Sequence, residues 1–243
     1  MIDSTTDPAA VVATMVDWGN AFDRQDPTLA IKKFIKLGVR RSLIPLLISY
    51  LKDRKMRVKY NGTLSKEYSL IGGGPQGTLL SLIEYLVQSN NSADCVDKDE
   101  RFKYFDDLTI LDFLLLTGLL TEFDCFNTVP YDIGIDQMYL PHQNYATQQY
   151  LNEISAWTTN NLMKINVEKT SYMIFTRSKT DFGTRLSLDN AQLDRVEEAK
   201  VVGVWLQSDM KWTKNRKELT RKAYSWLSML TKLKYAGVST EVL

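Results

Sequence analysis

Two adjacent carboxylates, Asp106 and Asp107, sit between the apolar run Phe102, Tyr104, Phe105 and a second run, Leu108, Ile110, Leu111. This pattern predicts two short strands with the acidic pair at the tight turn between them. Anions held side by side on a rigid hairpin repel each other. They are tolerated best where a divalent cation neutralises them. An Asp-Asp pair is also ordinary turn chemistry, because Asp bonds its own backbone and accepts unusual dihedrals. The dipeptide alone leaves both readings open, and the rest of the chain has to weigh them.

Composition removes several classes. The single histidine, His142, rules out the usual nitrogen-and-sulfur zinc site. A Ser-His-Asp triad would have to use that one imidazole, and no nucleophile elbow accompanies it. Any catalytic metal must therefore be held by oxygen ligands, which favours magnesium or manganese. Cys95 and Cys125 lie far apart and form no CxxC pair, so a reducing compartment is the simplest setting. The most apolar stretch, Leu111 to Leu120, contains Asp112 and is too short to span a bilayer, so no membrane partner is expected. The N-terminus is polar and acidic, unlike a secretory signal. With 44% hydrophobic residues, the 243-residue chain has enough apolar side chain for a substantial core.

Net charge is only +1, but it is unevenly placed. From Lys200 onward there are nine Lys/Arg against three acids, and Lys52, Arg54, Lys55, Arg57 and Lys59 form a second basic cluster. Basic patches around an acidic centre suit a nucleic-acid channel, although a solvated lysine-rich helix gives the same charge pattern.

Periodicity places the elements. Val11 to Val16 is a continuous apolar run, expected as a strand buried on both faces. Asp26-Pro27 opens a helix that Gly38 stops, and Leu43 to Leu51 reads as a second helix. Arg57–Tyr60 and Tyr68–Ile71 read as strands joined through Asn61-Gly62. The loop Gly72-Gly73-Gly74-Pro75-Gln76-Gly77 feeds an apolar helix, Thr78 to Val87. Residues 89–101 read as a polar loop, and 121–145 show no clear period. Tyr150, Leu151, Ile154 and Trp157 form a helical stripe. Ser171–Thr176 and Val201–Leu206 read as strands, with Met210–Trp212 pairing with the latter, and Thr220–Leu233 as a basic amphipathic helix. Strands and helices alternate without regular βαβ units, which argues for an α+β sheet domain with appended helices.

Five stretches in order carry a resemblance: VDWGNAFD (16–23), GGGPQGTLLSL (72–82), YFDD (104–107), NLMKINVEKTSYMIF (161–175) and VVGVWLQSDMKW (201–212). Together they resemble motifs A to E of the reverse transcriptase palm, most closely the non-LTR, LINE or jockey-like retrotransposon group. DRKMRVKYNGTLSKEYSLIGGGPQGTLLSL (53–82) is similar to that group as well. The resemblance covers about residues 11–235. It implies an α+β polymerase palm, an antiparallel sheet with packed helices and a ferredoxin-like or RRM-like core. Residues 1–212 would form the palm with partial fingers, and 213–243 the start of a thumb. The implied activity is RNA-directed DNA synthesis with an RNA template, a DNA primer, dNTPs and two Mg2+ or Mn2+ ions.

The resemblance also implies roles. Asp17, Asp106 and Asp107 would be the catalytic metal ligands, with the Trp18 carbonyl facing a metal. Phe22 would lie under the incoming sugar and exclude a 2′-OH, unless it is simply core. Gly74, Pro75, Gln76 and Gly77 would form the loop that tracks the template base and nucleotide. Lys169 would protonate the leaving pyrophosphate, or else pair with a nearby acid such as Glu168 at the surface. Tyr104 and the hairpin with Gly203, Val204, Trp205 and Trp212 would hold the primer. Asp23 is expected to cap the following helix. An intracellular, nuclear location follows from the family's habit of priming on chromosomal DNA.

Gly72, Gly74 and Gly77 also satisfy G-x-G-x-x-G. A dinucleotide site needs an acid at a strand end about 20 residues on, and Asp94 and Asp97 lie in a polar loop instead. A phosphate-binding P-loop needs Lys-Ser/Thr after the last glycine, where Thr78 follows directly. Only 16 residues precede Asp17, whereas the family carries a long fingers region there. The expectation is a palm fragment with a truncated thumb and weak or no activity alone, because positioning the triphosphate supplies much of the rate. Two alternatives stay open: an inactive or domesticated relic that at most binds nucleic acid, and a viral RNA-dependent RNA polymerase.

Overall fold

The run with apolar residues on both faces lies at the centre of the sheet. A computed structural model describes residues 8–115, 146–176 and 184–238 of the chain. The unpatterned stretch 121–145, with Cys125 and His142, falls outside the described residues. Strand β1 (Pro8–Val16) leads to helices α1 (Pro27–Lys36) and α2 (Ile44–Leu51). A ribbon of four two-residue strands follows: β2 (Lys55–Met56), β3 (Lys59–Tyr60), β4 (Thr63–Leu64) and β5 (Tyr68–Ser69). Next come α3 (Leu79–Ser89), the hairpin β6 (Arg101–Tyr104) and β7 (Asp107–Leu115), and α4 (Ala146–Asn161). Strand β8 (Ser171–Thr176) precedes β9 (Ser187–Leu188), β10 (Ala191–Gln192) and β11 (Asp194–Arg195). The hairpin β12 (Glu198–Val201) and β13 (Val204–Gln207) leads into α5 (Thr213–Tyr235).

Five strands form the main sheet in the order β11-β8-β1-β7-β6. All neighbours are antiparallel except β11 and β8. Being central, β1 buries both faces: Val12, Ala13, Thr14 and Val16 are buried together. On one face Val12, Val16, Ile110 and Ile174 share a core with Tyr85 of α3 and Leu151 and Ile154 of α4. Each fully buried aliphatic side chain contributes about 1.5–3 kcal/mol. The architecture is α+β, with helices α3 and α4 packed on the sheet.

A second, smaller core joins α1 and α2 through Ala30, Phe34, Leu47 and Leu51. The signals for α1 act as expected. Asp26 Oδ1 accepts from Leu29 N at 2.7 Å, Pro27 occupies the first turn, and Gly38 past the end sits at φ +81°. Among the described residues no helix is long and apolar enough to cross a membrane.

Several expectations need correction. Asn61-Gly62 does turn the chain, at φ +46° and +80°, but Tyr60 pairs with Thr63 immediately across it, while Tyr68 pairs with Met56. The 201–206 run is not one strand. Val202 and Gly203, at φ +46° and +85°, form the turn between β12 and β13. A glycine inside an apparent strand marked that turn. Among the described residues Met210–Trp212 consequently pairs with no strand, and it leads into α5. That helix starts earlier than expected, at Thr213, and buries none of its residues.

Helix α3 inverts its pattern. It buries Ser81, Glu84, Tyr85, Gln88 and Ser89, while Leu79, Leu82, Ile83 and Leu86 stay exposed.

Candidate active site

At one end of the sheet, sequence-distant carboxylates meet because β1 and β7 are neighbours. Val16 pairs with Leu108, so continuing the register brings Asp17 opposite Asp107. Tyr104 pairs with Asp107, which leaves Phe105 and Asp106 as the two-residue turn. The acidic pair is therefore split: Asp106 is in the turn, and Asp107 begins β7. Phe105 takes φ +54°, a left-handed conformation that costs a side-chain-bearing residue about 1–2 kcal/mol. Its ring meets Tyr104 edge-on at 5.2 Å. A bulky residue held in this conformation fixes the direction in which the following carboxylates leave the hairpin.

Asp17 is held by its backbone. Its N–H donates to Thr170 Oγ1 at 3.2 Å, and its carbonyl accepts from Asn166 N at 2.8 Å. The next residues, Trp18 and Ile165, form a bridge that extends the β1 edge. The Trp18 side chain is buried against Trp157, with ring centroids 5.7 Å apart. The 165–170 turn thus sets the height of Asp17 and brings Lys169 to the same end of the sheet.

A cleft of about 340 Å³ lies between that end and the β12–β13 hairpin, lined by Asp17, Asp107, Lys169, Glu198, Lys200 and Trp205. Burial raises the Asp107 carboxyl above its ordinary range, and the negative charges of Asp106 and Asp17 raise it further. The same two hairpin carboxylates add to the burial that raises the Tyr85 hydroxyl. The three carboxylates thus act on one another electrostatically. Among the described residues no group of three or more His, Cys, Asp or Glu side chains is gathered tightly enough to hold a metal ion. In donor chemistry the set fits a hard dication, since the acids are oxygen donors whose mutual repulsion a positive charge would relieve.

Other expected site residues lie close by or apart. Phe22 is half-buried and packs on Tyr85, with ring centroids 4.9 Å apart, so it lies both against the core and near the acidic hairpin. The 72–77 loop is tied to the segment after β1. Gly73 N donates to Gln25 O at 2.8 Å, and Gly74 N to Phe22 O at 2.9 Å. Gln76 Nε2 donates to Asp23 Oδ1 at 2.9 Å. Asp23 thus anchors this loop rather than capping α1, a role Asp26 fills. Pro75 and Gly77 complete the loop, and Thr78 Oγ1 caps α3 by accepting from Ser81 N at 3.3 Å. Tyr104, Gly203, Val204 and Trp212 do not line the cleft. Gly203 sits in the hairpin turn, and the other three side chains are exposed. Lys214 Nζ stands 3.8 Å from the centre of the Trp205 ring.

Sequence reasoning missed Glu198, Lys200 and Thr170. Lys200 entered only as the first cation of the basic C-terminal region, Thr170 only inside the 161–175 stretch, and Glu198 not at all. It also missed the polar floor of the 72–77 loop. A Cβ at Gly74 would stand 2.0 Å from Gln25 Oε1 and 2.4 Å from Ser81 Oγ, and both of those side chains are buried. Gly74→Ala is therefore expected to destabilise the protein by about 1–3 kcal/mol, as overpacking does. Denaturant unfolding measures this, and an unchanged midpoint would mean that the loop lifts freely off its floor.

The chain is 25% identical over 226 residues to the "Probable RNA-directed DNA polymerase from transposon BS" of Drosophila melanogaster. This similarity supports a relationship to reverse transcriptases. The overlap takes in 90% of this chain but 22% of that protein, so the chain spans about a fifth of its relative's length. No family model matches the chain.

Proposed function

We propose that this chain carries the palm of an RNA-directed DNA polymerase of the non-LTR retrotransposon type, residues 1–212 being palm with partial fingers and 213–243 the start of a thumb. The observation that carries the reading is the single cleft in which Asp17, Asp107, Lys169 and Trp205 meet, although they are far apart in sequence. Those residues come from four of the five stretches that resemble the family's motifs.

In this reading Asp17, Asp106 and Asp107 would hold two Mg2+ or Mn2+ ions. When bound, such ions activate a primer 3′-hydroxyl and stabilise the charge of a leaving pyrophosphate. The chain's own residues do the positioning. Thr170 and Asn166 fix the Asp17 backbone, and Phe105 fixes the hairpin tip. Lys169 faces the same cleft as a proton donor for the leaving group. Phe22, backed by Tyr85, forms a floor for the sugar of an incoming dNTP. The 72–77 loop, pinned through Gln76 to Asp23, presents its backbone to the base. Trp205 and the hairpin around it border the cleft where a primer end would lie.

Two measurements on the same preparation test this. Mn2+ binding followed by electron paramagnetic resonance is expected to weaken at least about tenfold in Asp106→Asn. Extension of a DNA primer on an RNA template with Mg2+ or Mn2+, however weak, is expected to vanish in the same variant. Unchanged Mn2+ binding, or extension that survives the substitution, would remove the polymerase reading and leave the inactive relic.

A further inference from the structure

The exposed basic ribbon between α2 and the 72–77 loop has no place in the site described above. Among the described residues its strands pair only with one another. Every residue from Lys55 to Ile71 is exposed except Ser65, which is half-buried. Residues 52–69 carry Lys52, Arg54, Lys55, Arg57, Lys59 and Lys66 against only Asp53 and Glu67. Cross-strand alternation places Lys55, Arg57 and Glu67 on one face, where Glu67 bridges both cations at 2.6 and 2.9 Å. The other face carries Met56 and Tyr68, which are 47% and 46% exposed. Tyr60 at the tip is 76% exposed beside Lys59, and Lys66 Nζ lies 5.2 Å from the centre of the Tyr68 ring. At the base of the ribbon a cleft of about 760 Å³ has an apolar floor that includes Ile31, Ile48 and Leu70, and a rim with Lys32, Lys52 and Lys55.

We infer that this ribbon and the cleft at its base form a binding surface for single-stranded nucleic acid. Phosphates need the cations, and unpaired bases need exposed aromatic and apolar faces. A duplex would use the lysines but has no free bases for Tyr60, Tyr68 or the apolar cleft. Arg54 connects the surface to the candidate active site. Its guanidinium donates to the carbonyls of Gly72 and Gly73 and to Leu51 O, so the root of the ribbon and the 72–77 loop are one hydrogen-bonded unit. A strand lying along the ribbon is thereby led toward that loop. The inference deepens the polymerase reading by naming a contact for unpaired template, but the binding itself rests on the ribbon's own residues.

The test is fluorescence anisotropy of the full chain with a labelled single-stranded RNA of about 20 nucleotides and with its duplex, over a range of salt. The native chain is expected to prefer the single strand. Lys55→Gln, Arg57→Gln and Lys59→Gln combined should weaken binding at least about tenfold and lower the salt slope by about 2, as loss of three phosphate contacts requires. Tyr60→Ala should weaken binding about fivefold or more while leaving the salt slope in place. Glu67→Gln, which frees two cations, should tighten binding. Thermal unfolding confirms that each variant is folded. Native affinity in the triple variant, or a preference for duplex, would overturn the inference. Primer extension separates the two readings. A chain that extends primers while its ribbon variants bind as well as native loses only the ribbon assignment. A chain that binds through the ribbon but shows no Asp106-dependent extension or Mn2+ site loses only the polymerase assignment.

Discussion

Under the proposed polymerase reading, the Asp17→Asn chain is expected to lose whatever primer extension the native chain has by at least about 10²–10³-fold, in the range seen when a group that stabilises transition-state charge is removed, and to be more stable than the native chain in the absence of divalent ions. The two effects share one cause. Asp17 lies opposite Asp107 in the continued β1–β7 register, and Asp106 is adjacent in the turn. Like charges facing each other across a sheet destabilise it by about 0.2–1 kcal/mol, and most of that is relieved by removing one of them. Asparagine keeps the size and shape of the side chain and leaves the backbone bonds to Thr170 and Asn166 in place. Thermal unfolding with and without Mg2+ checks the stability half. The native chain should gain more from Mg2+ than Asp17→Asn does, because an ion that binds only the folded state stabilises it by mass action. A variant that is less stable than native without metal would show that the carboxylates are not in mutual repulsion. The site would then be an ordinary acidic turn.

Short-range patterns encode the strands that carry the repulsion, and the resemblance to a polymerase palm implied that they meet. Apolar runs around Asp106-Asp107 specify a hairpin, and the doubly apolar run Val11–Val16 specifies a central strand. Strand order is not written in those patterns; the adjacency of β1 and β7 in the sheet is what brings Asp17 and Asp107 together. Lys169 and Trp205 were implied by the same resemblance, and they reach the cleft from different places: Lys169 lies just before β8, and Trp205 lies within β13. The split of the acidic pair was not legible. It depends on Phe105 accepting a left-handed φ, and nothing in the preference of phenylalanine announces that. The β12–β13 hairpin was misread because Val202 in the turn is β-branched and looks like strand. Only Gly203 signalled otherwise.

Helix α3 shows where pattern reading stops. Its apolar residues predict a helix correctly, but the hydrophobic-inside rule assigns the wrong face to the core. Leu79, Leu82, Ile83 and Leu86 are exposed, while Ser81, Glu84 and Gln88 point inward. Tyr85 is the one large apolar side chain of the helix that is fully buried, Leu80 and Val87 being half-buried against the α1–α2 core, and it is the residue that backs Phe22. Tertiary position therefore overrode composition. The helix is oriented by what the 72–77 loop and Phe22 rest on, namely Ser81 and Tyr85. A one-dimensional pattern carries no information about that floor.

The consequence with the largest effect on stability falls on Glu84. The residue is 1% exposed, and neither carboxyl oxygen has a hydrogen-bond partner among the described residues. Burial raises its pKa from 4.5 to about 7, and the Arg54 guanidinium offsets only part of the rise. Below 4.5 both the folded and unfolded chains hold the proton, and the contribution to stability is at its fullest. As pH rises from 4.5 towards 7 the unfolded chain releases the proton while the folded chain keeps it, so stability falls across that window. The loss is at most roughly 3 kcal/mol and is complete above about pH 7. Lys33 and Lys103 are both lowered from 10.5 to about 8 by burial, so they act in a separate window and raise stability as pH climbs from 8 to 10.5. Glu84→Gln removes the titrating proton and keeps the shape. Its denaturant midpoint is expected to decline less steeply between about pH 5 and pH 7 than that of the native chain, the raised Asp107 carboxyl titrating in both, and to exceed the native midpoint at about pH 8. The alkaline rise from the two lysines should persist in both proteins. Equal slopes in the native and Glu84→Gln chains through the acidic window would mean that Glu84 is ionised in the folded state and paired with Arg54. Arg54 would then be shared between that carboxylate and the carbonyls of Gly72 and Gly73, and the 72–77 loop would be held by a salt bridge rather than rest on a neutral floor.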